Sequence, residues 1–389
     1  MQIYLDYSAT TPTRPEAIAR MQSVLAEQWG NPSSLHAWGQ QAAMVVEAAR
    51  SQVAQLIGAR DPATIVFTAG GTEADNLALI GTARQYATPQ HLIISQVEHS
   101  AVAAPARWLA QQGWQVTALP VDAGGRVAPA ALAAALRPNT VLVSIIYGQS
   151  EVGTLQPIGE LAAIARAHGA WFHTDAVQVA GRLPLDVAAL GVDLLSLSSH
   201  KLYGPQGAGA LYLRPGLELT PLLQGGGQEG GLRSGTQAVA ALAGFGVAAE
   251  LAAQEVVAEG ERLRALRERL FDQLAGSPHL LPTGDRQQRL PHHVSFCLRE
   301  PPPGITGKTL VRQMNLAGLG ISSGSACHSG TLSPSPILTA MGYGDRQALS
   351  GIRLTLGRLT TAADVDWTAL VLTQILGRLL PEPVLASRS

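Results

Sequence analysis

The sequence predicts an α/β protein: a mainly parallel sheet of seven strands between helices, followed by a smaller α+β lobe. Two observations predict it. Short β-rich runs alternate with helical segments as far as Thr236, and the pattern then changes to a long Ala/Leu/Glu/Arg-rich helical stretch. A chain of 389 residues is also long enough for two lobes around a large core.

The predicted strands are 64–68, 91–95, 115–119, 141–146, 170–174, 194–198 and 208–213. Helical segments at 73–86, 128–136 and 158–168 separate several of them, the arrangement that puts helices on both faces of a parallel sheet. The long helical region ends near Leu274. Beyond it, 293–298 alternates as a strand, a Pro-rich turn (Pro301-Pro302-Pro303-Gly304) comes next, and 307–316 is helical. A strand at 352–356 and a helix at 361–380 complete the second lobe, with a frayed tail expected at 381–389.

Charged residues are 14% of the chain, below the roughly 25% usual for soluble domains. With 46% hydrophobic residues, this points to extensive burial, a dimer interface included. A formal charge of −1 without a basic run argues against nucleic acid as a partner. Two cysteines make no disulfide framework and suit a reducing compartment. The start, Met1-Gln2-Ile3-Tyr4-Leu5-Asp6-Tyr7, lacks the basic and apolar regions of a signal peptide. The most apolar stretch, 238–253, is short for a bilayer span and contains Gly244, Gly246 and Glu250. It is expected to be a buried helix, and the protein to be cytoplasmic with no membrane partner.

Cys327 lies in a Ser/Gly stretch running from Ser322 to Gly330, badly placed for core packing and well placed as a travelling nucleophile. Lys201 follows an apolar strand, between hydroxyl and imidazole neighbours. There it can lose its proton and form a Schiff base with an aldehyde cofactor; a solvated lysine is the alternative. Asp175 ends strand 170–174, at the sheet edge where open α/β folds bind ligands. It can hold a pyridine nitrogen protonated, or cap the start of a helix after the strand. Gln178 is about a helical turn on. Ala69-Gly70-Gly71-Thr72 joins strand to helix as either a phosphate cradle or an ordinary tight turn, with Ser198, His200 and Thr236 as further donors. His99 opens a helix and could stack on a flat ring. Arg353, inside a half-apolar strand, needs an anion, from substrate or from the protein itself. Cys297 is assigned to the core.

These motifs occur in a set order that resembles the cysteine desulfurases of the class-V, fold-type-I pyridoxal-phosphate enzymes, in the nitrogenase and iron–sulfur-assembly branch. The resemblance runs from Tyr4-Leu5-Asp6-Tyr7-Ser8-Ala9-Thr10-Thr11-Pro12 through Gly30-Asn31-Pro32, Thr72-Glu73-Ala74-Asp75-Asn76, Glu98-His99 and His173-Thr174-Asp175-Ala176-Val177-Gln178. It continues through His200-Lys201-Leu202-Tyr203-Gly204-Pro205 and Arg233-Ser234-Gly235-Thr236 to the Cys327 loop. The resemblance implies pyridoxal 5'-phosphate held by Lys201, with Asp175 on its ring nitrogen, Gln178 on its phenolic oxygen and His99 stacked and moving protons. Gly71, Thr72, Ser198, His200 and Thr236 of the partner subunit would bind the phosphate, and Asn31 and Arg353 the carboxylate of L-cysteine. Cys327 would take the sulfur as a persulfide, releasing L-alanine, and pass it to an acceptor or iron–sulfur scaffold protein. A homodimer is implied, with a large cofactor-binding domain (14–250) and a small domain (1–13 and 251–389) carrying the thiol. No resident metal is expected; whether Cys327 holds an iron–sulfur cluster in transit stays open.

The chain departs from the family at three places. Gln149-Ser150-Glu151 stands where the family has Asn-Asn-Glu, so Ser150 replaces, with shorter reach, an Asn that contacts the cofactor's phenolic oxygen. Pro105 falls inside the helix that His99 opens, which predicts a kink or a late start. The chain stops soon after Leu380, without the longer extension by which the housekeeping branch docks its scaffold. His328, beside Cys327, either favours thiolate or is a solvated loop residue. A lyase acting on cystine or selenocysteine, an aminotransferase and a non-catalytic sulfur carrier are the competing readings.

Overall fold

A computed structural model describes residues 2–324 and 333–380 of the chain; Cys327, His328 and the tail 381–389 lie outside the described residues. The central sheet has seven strands: β1 (Ile65–Thr68), β2 (His91–Ser95), β3 (Gln115–Leu119), β4 (Thr140–Ser144), β5 (Trp171–Asp175), β6 (Leu194–Ser198) and β7 (Gly209–Leu213). Their order is β1-β7-β6-β5-β4-β2-β3. Only β7 runs antiparallel to its neighbours, so the other six point the same way.

Alternation along each strand assigns side chains to the two faces. Ile65, Phe67, Ile93, Val143, Phe172 and Leu195 join one buried cluster. Val66, Leu92, Ile94, Leu142 and Leu194 join another on the opposite face. Both faces are therefore apolar, which is why these strands read as continuous hydrophobic runs.

Element limits differ from expectation by a few residues, for identifiable reasons. The strand expected at 141–146 extends only to Ser144, although Ile145 N–H still donates to the His173 carbonyl at 3.0 Å and Ile145 and Ile146 stay buried. Helix α1 spans Gly71–Ala83 and begins before the expected 73–86, because Gly70 and Gly71 enter the first turn in spite of low helix propensity. Helix α2 spans Ser100–Gln111 with His99 as its N-cap, so it does not start late despite Pro105. Pro105 has no N–H for the Ala101 carbonyl, and the Asn76 side-chain amide donates to that oxygen from α1 at 3.4 Å.

Helix α3 (Val239–Leu274) is 36 residues long, extending well beyond the expected buried stretch 238–253. Its first half packs Leu242, Phe245, Ala248, Ala249 and Ala252 into the core of the sheet. Its second half gives Leu263, Leu266, Leu270 and Phe271 to a separate core. A Cβ on Gly246 would sit 2.7 Å from the Cα of Ala49, so glycine there permits close approach of helix Ala37–Leu56. Among the described residues α3 alone is long and apolar enough to cross a membrane, with 56% of its apolar window buried inside the protein.

The second core covers a four-stranded antiparallel sheet, ordered Ser322–Ser323, Ile352–Thr355, His293–Leu298, Leu280–Pro282. The N-terminal segment is anchored on this lobe: Ile3–Tyr4 pairs in parallel with Leu319–Gly320, and Asp6 bridges to Thr355. It then crosses to the large sheet, where Thr11 N–H donates to the His200 carbonyl at 3.0 Å. That crossing roofs a cavity between the lobes.

Candidate active site

The cavity, of about 890 Å³, opens at the C-terminal ends of the parallel strands. Side chains must converge there because each parallel strand delivers its following loop to the same edge. Chain past β1 gives Gly70, Gly71 and Thr72; past β2, His99; past β4, Ser150; past β5, Asp175 and Gln178; past β6, His200 and Lys201. Ser198 at the end of β6 and Arg353 of the small lobe complete the predicted set that lines it. Asn31 and Thr236 do not line this cavity; both are exposed elsewhere on the chain.

Lys201 Nζ donates to the carbonyls of Ser8 at 2.6 Å and Ala9 at 2.7 Å. Burial lowers its pKa from 10.5 to about 8, with the Arg353 charge acting in the same direction and Asp175 and Asp6 opposing. An amine that loses its proton near pH 8 is a usable nucleophile toward an aldehyde. His200 is lowered to about 4 by burial and by Lys201, so its ring is neutral; its Nδ1 lies 3.1 Å from Thr10 Oγ1.

Asp175 accepts from the Val177 N–H at 2.9 Å through Oδ1, and burial raises its pKa while His99 and Lys201 pull it down. No helix follows β5 directly, so Asp175 caps a turn rather than a helix start, and it lines the cavity. Gln178 donates to the Ser8 carbonyl at 2.9 Å, so part of its amide is already engaged. His99 accepts the Ala101 N–H on Nδ1 at 3.1 Å, which leaves Nε2 for the cavity side of the ring.

The N-terminus of α1 has no side-chain cap. Its first N–H groups therefore lack an intrahelical partner and suit an anion. Gly71 is required by close approach: a Cβ would meet Val177 Cγ2 at 2.7 Å. Glu73 also lines the cavity, its carboxylate engaged by the Ala69 N–H and by Arg233 at 2.9 Å.

Arg353 has a protein partner: Nη2 donates to Asp6 Oδ1 at 2.7 Å and Nη1 to the Ser150 carbonyl at 3.0 Å. Nε is buried with no hydrogen-bond partner among the described residues, leaving donor capacity for a further anion. Ser150 thus acts through its backbone as well as lining the cavity. Gln149, beside it, is consumed structurally, accepting from Val152 N–H at 2.9 Å.

Composition alone missed several groups. Ser8, Ala9, Asp75 and Asn76 line the cavity, and Glu98 is buried beneath it. The apolar context of Asp75 within α1 was the available signal: a carboxylate among Ala74, Leu77 and Ala78 is costly unless it has a role. Cys297 is fully buried, its thiol pushed up to about 12 by burial, which suits packing and excludes thiolate chemistry.

These residues fit pyridoxal phosphate: an aldehyde acceptor in Lys201, a carboxyl in Asp175 for a ring nitrogen, and a glycine-lined helix N-terminus for the phosphate. Comparison with known proteins agrees. The family model Aminotransferase class-V matches residues 3–367. The chain is 43% identical over 382 residues to "Cysteine desulfurase IscS" of Dictyoglomus turgidum, covering 97% of this chain and 95% of that one. It is 44% identical to the protein of the same name from Methylococcus capsulatus, covering 97% and 93%. Among solved structures, a "NifS-like protein" superimposes with TM-score 0.90 at 33% identity, covering 97% of this chain and all (100%) of the other. "SspA in complex with cysteine" superimposes with TM-score 0.81 at 34% identity, covering 92% and 99%.

Proposed function

The chain belongs to the class-V aminotransferase family, and we propose that this cavity is the active site of a pyridoxal-phosphate-dependent cysteine desulfurase. The enzyme removes sulfur from L-cysteine, giving L-alanine and a persulfide on Cys327 that supplies iron–sulfur cluster assembly. One arrangement carries the site assignment: an amine of lowered pKa, a buried carboxyl and an uncapped helix N-terminus line the same cavity.

Pyridoxal phosphate, when bound, supplies an electron sink that weakens bonds at the substrate's α-carbon and beyond. The protein's residues divide the remaining work. Lys201, positioned by the Ser8 and Ala9 carbonyls, would hold the aldehyde and supplies an amine that can move protons at the site. Asp175 would keep the ring nitrogen protonated, and Gly71, Thr72, Ser198 and His200 would hold the phosphate. Arg353, oriented by Asp6 and the Ser150 carbonyl, takes the substrate carboxylate on its remaining donors, with Asn31 as a second contact. His99 presents Nε2 for proton movement. The Cys327 thiolate would bond to the substrate sulfur as the carbon–sulfur bond breaks, the electron pair of that bond staying with the carbon fragment, which takes up a proton and leaves as L-alanine.

The proposal extends to a homodimer in the cytoplasm, with Thr236 of the partner subunit completing the phosphate site and a sulfur-acceptor or scaffold protein receiving the persulfide. Thr236 is exposed and away from its own cavity, as such a role requires. The cofactor lobe is 14–250, and 1–13 with 251–389 form the lobe that carries the thiol. The test is mass spectrometry of the Cys327 peptide after one turnover with L-cysteine. One added sulfur is expected. Cys327→Ala should retain the cofactor's absorption while losing sulfur transfer; transfer undiminished by that change would overturn the assignment.

A further inference from the structure

Asp75 lies on the inner face of α1, 1% exposed, yet it reaches the cavity. One carboxylate oxygen of Asp75, one of Asp175 and a ring nitrogen of His99 all fall within 4.8 Å of one another. Groups within that span can be linked through one bridging water. Oδ1 of Asp75 has no hydrogen-bond partner among the described residues and lies 3.6 Å from His173 Nε2.

The groups packed around Asp75 offer it no countercharge. His173 on β5 is fully buried, bonded through Nδ1 to Ser144 Oγ at 2.8 Å and through Nε2 to Ser196 Oγ at 2.9 Å. Burial lowers its pKa to about 3, so it is neutral. The Ser196 hydroxyl of β6 also bonds the Asp75 carboxyl. Glu98, between β2 and α2, is a further buried acid whose Oε1 accepts from Ser95 Oγ and Ile146 N–H. His99 and Lys201 act on Asp175 instead. Two carboxyls this close and this buried do not both ionise. Burial and the Asp175 charge push the Asp75 acid well above the usual carboxylate range.

We propose that Asp75 is a positioning residue for Asp175: it stays un-ionised, donates its proton toward the Asp175 carboxylate, and so keeps that carboxylate anionic and aimed into the cavity. A hydrogen bond to the charged form favours that form. The hydrogen-bonded Ser196–His173–Ser144 chain lies behind Asp75, with His173 Nε2 3.6 Å from its Oδ1. The inference rests on the reading of Asp175 as partner of the cofactor's ring nitrogen, and deepens it.

The test uses holoenzyme carrying ring-nitrogen-labelled pyridoxal phosphate, with the nitrogen NMR signal reporting whether the ring is protonated. Wild type and Asp75→Asn should both show the pyridinium, because an amide N–H replaces the acid O–H. Asp75→Leu removes the donor and should shift the signal toward unprotonated nitrogen and loosen the cofactor about tenfold. In parallel, difference infrared spectra at neutral pH should show a protonated-carboxyl stretch in wild type that disappears in Asp75→Asn. Two results overturn the proposal: no such stretch assignable to Asp75, or a pyridinium lost in Asp75→Asn. If Asp75→Leu does not fold, the infrared comparison with Asp75→Asn decides alone. Asp175→Asn is the control: a pyridinium that survives it sinks the underlying reading of Asp175, whatever Asp75 does.

Discussion

Lys201 shows how burial makes a reagent of a surface residue type. Its ammonium form is held by two carbonyl oxygens, while the low-dielectric surroundings lower its pKa to about 8. The neutral amine is the reactive form, so capture of pyridoxal phosphate by the apoprotein should accelerate with pH and level off above about pH 8. Stopped-flow absorbance measures this directly. Lys201→Arg should leave no cofactor attached after borohydride reduction, and recovery of a labelled peptide elsewhere would contradict the assignment. Glu98 makes the opposite case. Burial raises its pKa from 4.5 to about 8, so the folded chain holds a proton that the unfolded chain has lost. Its contribution is fully present below about pH 4.5 and disappears as pH rises through about 8. Glu98→Gln should therefore make the apoprotein's loss of stability over that range shallower, worth about 1–3 kcal/mol at its upper end. Denaturant melts across pH would measure it.

At the scale of elements, α1 and α2 depend on one another. Asn76 donates to Thr72 of its own helix at 2.8 Å and to the Ala101 carbonyl that Pro105 leaves without a backbone donor. Asn76→Leu should cost about 1 kcal/mol in wild type and less in a Pro105→Ala background, where the backbone N–H restored by the substitution supplies the missing bond. A double-mutant cycle that shows no coupling would mean the two helices are stabilised separately. Pro105 was legible in the sequence as a disturbance; its remedy was not, because Asn76 is 25 residues from Ala101 along the chain. Strand identities were legible because both sheet faces are buried and the apolar runs are unbroken. Strand ends were less so, since Ile145 and Ile146 are as buried as the paired residues before them.

At the scale of the whole molecule, the N-terminal segment joins the lobes across the cavity. Asp6 meets Arg353 from 347 positions away, and Ser8 Oγ lies 3.2 Å from His292 Nε2. Large apolar side chains stay exposed within one stretch of the chain, with Leu25 at 66%, Trp29 at 68%, Leu35 at 92% and Trp38 at 55%. Exposed apolar side chains of this size suit an association surface, the one the proposed homodimer would bury. Trp38→Glu should shift the protein toward monomer in sedimentation velocity and weaken cofactor retention, because Thr236 of the partner subunit would no longer reach the phosphate. A wild-type protein that sediments as a monomer would remove this part of the proposal.

Residue types and their order along the chain determined the sheet and its helices, and singled out Lys201, Asp175, His99 and Cys327 as the groups of the proposed chemistry. They suffice because a strand's period of two and its C-terminal loop are local properties, as is the kind of group, amine or carboxyl, imidazole or thiol, that each residue carries. Folding alone decided what surrounds those groups. The carbonyls of Ser8 and Ala9 carry no side-chain signal, Asp6 resembles any surface acid, and Asp75 is one more polar residue on a helix until its neighbours are known. Proton affinity depends on burial and on charges brought near by distant parts of the chain, so it exists only once the chain has closed on itself.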